Sequence, residues 1–289
     1  MPVTVKEYAG PVKPTWCPGC GDYGIWSALK QGLVQVGLAP HEVLIVSGIG
    51  CGSKLPDYTH ANGFMTLHGR PLPIATGAKL ANHDLKVVTV HGDGDSMGLG
   101  MGHFIHTARR NLDIVDLIQN NQIYGLTKGQ YSPTSDAGFV TSTSPDGALE
   151  TAAIPTALAL TAGATFVARG FAGEVKGLAA LIAQALEHKG YALVEILQPC
   201  VTFNRKNTYD WYRERVYDLA EEGHDPTDRV AAFARALEWG DRIPTGVFYQ
   251  VQRPTYEEQV ASLEQGAIAK RKLGTLSASQ VEALRAEFM

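Results

Sequence analysis

A chain of 289 residues, 45% hydrophobic and 19% charged, is long and apolar enough to bury a large core, as one big domain or as a domain with an extension. A formal net charge of -4 and a pI near 6.1 give no overall basic field, which sets nucleic acid aside as a partner. The most apolar long stretch, "AAIPTALALTAGATFVA", is short and broken by proline and glycine, and the start "MPVTVKEYAGPVKPTW" lacks the pattern of a secretory signal, so no membrane segment is expected and the cytoplasm is the expected compartment.

Near the N-terminus, Cys17 and Cys20 stand two residues apart in "TWCPGCGDYG", ahead of any strand. A thioredoxin-type dithiol fits poorly, because no strand precedes the pair and Pro-Gly rather than Gly-Pro separates the thiols. Helical spacing follows in "DYGIWSALKQGLVQVG", then a buried-strand pattern in "EVLIVSGIG". Four further apolar runs read as strands: "LKVVTVHGDGD", "DIVDLIQNN", "ATFVARG" and "YALVEILQP". Helical patterns separate them: "PIATGAKLANH", "GMGHFIHTARRN", "IPTALALTAG" and "EVKGLAALIAQALEHKG". This alternation predicts an α/β fold, a mostly parallel open sheet with helices on both faces, over residues 1–200. After about residue 200 a charged, aromatic segment, "FNRKNTYDWYRERVYDLAEEG", predicts a C-terminal extension over 201–289, packed on the core or on a partner.

In such sheets ligands gather at the carboxyl ends of the strands, where "SGIGCGSK", "HGDGDSMGLG" and "NNQIYGLTKGQ" fall. A glycine-rich turn between strand and helix can be a tight connection and nothing more. The next strand, however, ends in Asn120 and Asn121, and a strand–turn–helix–strand unit returns the chain to the same sheet edge. Asp93, Asn121 and a nearby carbonyl then form an oxygen-only half shell suited to Mg²⁺, with the turn amides and the following helix N-terminus as a diphosphate cradle. The pattern Gly92-Asp93-Gly94 followed by Asn120-Asn121 is similar to the thiamine diphosphate signature. By that resemblance Asp93, Asn121 and the Ile123 carbonyl hold Mg²⁺, while Asp95, Gly125 and Leu126 line the diphosphate. Glycines at 94, 98, 100 and 102 do not reproduce the dinucleotide-binding spacing.

The chain has four cysteines, Cys17, Cys20, Cys51 and Cys200, and the last two follow predicted strands at that same edge. Four converging thiolates bind Zn²⁺ or a [4Fe–4S] cluster, and spacing alone does not choose. One local pair plus two distant single cysteines, each on a glycine- or proline-rich loop, favours a buried cluster over a structural zinc.

The motifs "WCPGCGDYGI", "GIGCGSKLPDY", "TLHGRPLPIATGAKLAN", "HGDGDSMGLGMGHFIHTARRN", "NNQIYGLTKGQYSPTS" and "ILQPCVTFN" together resemble the β subunit of the 2-oxoacid:ferredoxin oxidoreductases, most closely the 2-oxoglutarate branch. The resemblance implies coenzyme A-dependent oxidative decarboxylation on thiamine diphosphate, with electrons leaving singly through one [4Fe–4S] cluster to ferredoxin. It places Ile49, Gly50, Cys51, Gly52, Gly92, Gly94 and Thr127 beside the cofactor, and His68 near its reacting end. Lys128 becomes a point charge for a substrate carboxylate, with Lys54 a similar candidate, and a cation there favours a dicarboxylic 2-oxoacid over pyruvate. Arg109 and Arg110 read as a solvated helix end.

A second domain to grip the aminopyrimidine has no room in this chain, so an α subunit is expected to complete the active site and supply coenzyme A contacts. The alternatives are a broad 2-oxoacid or pyruvate enzyme, a non-redox thiamine decarboxylase or synthase with structural zinc, and a zinc-stabilised binding module.

Overall fold

The computed structural model describes residues 2–271, 274 and 276–288. Among the described residues ten strands form in chain order: β1 (Val43–Ser47), β2 (Asn62–Met65), β3 (Lys86–Gly92), β4 (Ile114–Asn120), β5 (Ile123–Tyr124), β6 (Gln130–Tyr131), β7 (Phe166–Phe171), β8 (Ala192–Leu197), β9 (Val216–Asp218) and β10 (Ile243–Gln250). Eight of them make one sheet in the order β2-β1-β3-β4-β8-β7-β10-β9, and β5 with β6 forms a separate small hairpin. Every pairing from β2 through β7 is parallel, and β10 runs antiparallel to β7. The five strands read from apolar runs are the five central ones, buried along almost their whole length because helices cover both faces.

The helices are α1 (Asp22–Val36), α2 (Pro71–Ala81), α3 (Met101–Arg110), α4 (Pro155–Ala162), α5 (Val175–Glu187), α6 (Tyr209–Arg213), α7 (Arg229–Ala236) and α8 (Ala278–Ala286). One face of the sheet presents Val88, Val90, Val115, Leu117 and Val194 to α1 and α5, through Leu29, Leu33, Leu178 and Ile182. The alternating residues Val87, Ile114, Ile118 and Leu193 meet α2, α3, α4 and α7, through Leu72, Phe104, Leu160 and Ala232. Period-two alternation in the strands thus divides one sheet between two cores.

Beyond residue 200 the chain contributes strands to the sheet itself: β10 pairs with β7, β9 with β10, and Phe248 joins the second core. Pro244 and Gly246 disguise β10 in the sequence, and both are tolerated near the sheet margin, where only the short β9 lies outside. Among the described residues no helix is long and apolar enough to cross a membrane.

Candidate active site

The carboxyl ends of β1, β3 and β4, with the β5–β6 hairpin, enclose a cavity. Ile49, Gly50, Cys51, Gly52, His68, Gly92, Asp93, Gly94, Asp95, Asn121, Ile123, Gly125, Leu126 and Thr127 all line it. Residues far apart in the chain meet here because parallel strands deliver their C-terminal loops to one edge. After β3 the backbone enters a wide π-helical turn, Gly94–Leu99, and then α3. At the end of α3, Arg109 and Arg110 are solvent-exposed, and Asn111 closes the helix in the left-handed region.

Asp93 is 1% exposed, and no Lys or Arg ion-pairs with it among the described residues. Its Oδ2 accepts hydrogen bonds from Ser132 Oγ and, at 2.6 Å, from Thr134 Oγ1, while Oδ1 faces the Asn121 amide at 3.4 Å. Burial pushes its carboxyl up, against the pull of those donors. A buried carboxylate held by hydroxyls and without a cationic side chain is a site that a metal ion completes. Asn121 Oδ1 accepts the Ile123 N–H at 3.1 Å and keeps a second lone pair. Asn120 points the other way, donating to Glu195 at 2.7 Å, with its Oδ1 2.9 Å from the Thr134 hydroxyl whose hydrogen Asp93 takes.

Asp95 lines the cavity, but its carboxylate is largely engaged in holding loops. Oδ1 accepts the N–H groups of Ile49 and Gly69, each at 2.9 Å, and lies 2.7 Å from His68 Nδ1. Its Oδ2 lies 3.2 Å from His91, which contacts Asp116 at 2.7 Å on its other nitrogen. Burial alone would lower the His91 imidazole; Asp116, then Asp95, outweigh it and hold the group up at about 10. Gln119 adds an unpaired amide: neither side-chain polar atom has a partner, and a Cβ on Gly52 would fall 1.2 Å from its Oε1. Glycine at 52 is therefore a requirement of close approach, and the Gln119 amide is left for a ligand.

Cys17, Cys20, Cys51 and Cys200 all line a second cavity of about 280 Å³ that adjoins the first through Cys51, Asn121, Gly125, Leu126 and Gln198. A turn closed by the Cys20 N–H on the Cys17 carbonyl shapes the N-terminal pair, and Trp16 Nε1 donates to the Cys51 carbonyl at 2.7 Å, tying the two loops together. A Cβ on Gly125 would lie 3.6 Å from the Cys200 sulfur and 3.8 Å from that of Cys51, so the hairpin passes directly beside both thiols. Burial, then the Asp22 carboxylate, pushes the Cys51 thiol up to about 11 and also raises Cys20. Among the described residues no three Cys, His, Asp or Glu side chains close around a single ion.

Lys54 and Lys128 line this second cavity, and Lys128 is exposed with a φ of +75° at the hairpin tip. A lysine in the left-handed region is held there by the turn, whose Lys128 N–H donates to the Gly125 carbonyl at 3.1 Å. Sequence reasoning gave no role to Gln119, Ser132, Thr134, Gln198 or His91. Of these, Ser132 and Thr134 stood in the quoted "NNQIYGLTKGQYSPTS", but their partner Asp93 lies about forty residues upstream.

Comparison with known proteins assigns this architecture. Residues 48–196 match the thiamine pyrophosphate enzyme C-terminal TPP binding domain, and residues 200–265 match the C-terminal part of the pyruvate ferredoxin oxidoreductase β subunit. A 2-oxoacid:ferredoxin oxidoreductase subunit beta from Saccharolobus solfataricus is 46% identical over 85% of this chain and 85% of its own. The 2-oxoglutarate oxidoreductase subunit KorB of Mycobacterium tuberculosis is 47% identical over 71% of this chain and 55% of its own. A solved 2-oxoglutarate:ferredoxin oxidoreductase from Magnetococcus marinus, with 2-oxoglutarate, coenzyme A and succinyl-CoA bound, is 39% identical with a TM-score of 0.90, covering 98% of this chain and 96% of that one. Fold, thiamine-binding domain and relatives agree: the chain belongs to the β subunits of the 2-oxoacid:ferredoxin oxidoreductases.

Proposed function

We propose that the chain serves in the cytoplasm as the thiamine- and cluster-bearing subunit of a 2-oxoglutarate:ferredoxin oxidoreductase, releasing CO₂ and forming succinyl-CoA. The observation that carries the substrate is the 39% identity, at a TM-score of 0.90, to an enzyme solved with 2-oxoglutarate and succinyl-CoA. The name 2-oxoacid borne by the Saccharolobus relative supports a broader range as the second reading.

In this reading Asp93 and Asn121, with the Ile123 carbonyl, hold Mg²⁺. Gly50, Gly52, Gly92, Gly94, Gly125, Leu126 and Thr127 let backbone approach the diphosphate. Thiamine diphosphate supplies the electron sink for decarboxylation, and a [4Fe–4S] cluster on Cys17, Cys20, Cys51 and Cys200 supplies one-electron transfer. The cluster reading draws support from the place where the four cysteines meet, a cavity that adjoins the thiamine site, where a one-electron carrier has a use and a structural zinc has none.

Asp95 fixes the loops that carry Ile49 and His68, and so positions His68 at the reacting end. Lys128 lines the thiol cavity and not the first, but it follows Gly125 and Leu126, which border both, and in this reading its ammonium reaches from there to the distal carboxylate of the substrate. An α subunit completes the pyrimidine and coenzyme A sites, and ferredoxin carries the electrons away. Residues 1–200 form the cofactor domain, and 201–289 extend it toward that partner.

Anaerobic purification with iron and sulfide analysis tests the cluster. About four irons and four sulfides per chain are expected, and zinc without iron would refute it. Lys128→Ala tests the substrate: kcat/KM for 2-oxoglutarate should fall roughly 10- to 100-fold, the worth of one charge-assisted hydrogen bond, with pyruvate turnover little changed. Equal losses for both acids would remove the case for a dicarboxylate.

A further inference from the structure

Gln198 is 2% exposed, follows β8 directly, and lines both cavities. The direction of its hydrogen bonds can be worked out from one end. The backbone N–H of Ile123 can only donate, so the Asn121 atom it meets at 3.1 Å is the oxygen. Asn121 Nδ2 then donates to Gln198 at 3.0 Å, which makes that atom Oε1. Gln198 Nε2 is left to donate to Cys20 Sγ, 3.5 Å away. The side chain has little freedom to turn. Its own N–H is bound to the Asn120 carbonyl at 2.9 Å, and Gly21 packs so closely that a Cβ there would lie 2.6 Å from Gln198 Cγ.

We propose that Gln198 is a positioning residue bridging the two cofactor sites, its oxygen orienting the Asn121 amide and its N–H group stabilising the Cys20 thiolate. The proposal rests on the reading of Asn121 as a Mg²⁺ ligand and of Cys20 as a cluster ligand. Reduction adds negative charge to a cluster, and a donated N–H offsets negative charge on its sulfur, so Gln198 favours the reduced form and raises the potential. The same side chain fixes which face Asn121 turns to the cation. One buried amide thus sets a property of each cofactor site.

The test uses the anaerobically purified holoenzyme carrying Gln198→Met, which keeps the shape and removes both contacts, with Gln198→Leu as a second variant should the first fail to assemble. Three quantities are read: iron per chain, the cluster midpoint potential by EPR-monitored titration, and the Mg²⁺ concentration for half-maximal thiamine diphosphate binding, followed by tryptophan fluorescence. The expected result is full iron content, a lowered midpoint potential, and a Mg²⁺ requirement raised about 10-fold or more, as for other second-layer partners of metal ligands. A purely structural role for Gln198 would not move the potential of a fully loaded cluster. An unchanged potential, or an unchanged Mg²⁺ requirement, in a variant with full iron overturns the bridge. A wild-type enzyme without iron overturns the underlying cluster reading, and the bridge with it, before any variant is compared.

Discussion

Asp93→Asn is expected to lose Mg²⁺-dependent thiamine diphosphate retention by more than about 100-fold, since removing even an outer partner of a metal ligand costs about 10- to 100-fold. The substitution keeps the shape of the side chain, and the Ser132 and Thr134 hydroxyls can rotate to accept from its amide. What it removes is the negative charge, which no Lys or Arg of the described residues balances. Cofactor content after gel filtration and calorimetric titration with Mg²⁺ measure the loss. The cluster should remain, because Asp93 lies in the first cavity and lines no part of the second. Undiminished cofactor binding by Asp93→Asn would remove Asp93 from the metal site.

Arg169→Met is expected to destabilise the chain by about 3–5 kcal/mol, the cost of leaving one partner of a buried ion pair uncompensated. Arg169 and Glu195 are each 1% exposed and meet at 2.9 Å. The guanidinium also donates to Thr156 Oγ1 at 2.9 Å and reaches toward the Pro244 carbonyl of β10. With Arg169 gone, Glu195 would keep only the Asn120 amide at 2.7 Å. Equilibrium urea unfolding gives the difference from the shift in midpoint at constant slope. The double variant Arg169→Met with Glu195→Leu should recover much of the loss, because the stranded charge goes with its partner. A loss below about 1 kcal/mol in the single variant would mean that water reaches Glu195. The pair also bears on the active site, since Asn120 and Thr134 connect Glu195 to Asp93.

How much of this could be read from the residues depended on whether the signal was local. The central strands announced themselves as apolar runs because both faces of each are covered. The strand β2, "NGFM", is exposed along its length at the sheet edge, so burial never selected an apolar pattern for it. The strand β10, "IPTGVFYQ", carries a proline, a glycine and a register shift, and its pairing partner β7 lies about eighty residues earlier. Asp93, Asn121, Cys51 and Cys200 could be gathered at one edge, because parallel strands send consecutive C-terminal loops the same way, whereas Cys17 and Cys20 precede every strand and joined them only through four-thiolate chemistry. Gln119, Gln198, Ser132 and Thr134 could not. Their importance lies in which buried atom each one faces, and nothing in their own neighbourhood of the sequence encodes that.

The distance along the chain between the first and last thiols carries a consequence for biosynthesis. Cys17 and Cys20 leave the ribosome early, but the second cavity has no far wall until Cys200 has been made and β8 has docked between β4 and β7. At about 5–20 residues per second, the two early thiols wait roughly 10–40 s for their counterpart. Any group that bridges all four is therefore acquired by a chain whose strands β1 to β8 have already been made, and until then the nascent protein presents three unsatisfied thiols, Cys17, Cys20 and Cys51, to whatever oxidant or stray metal reaches them.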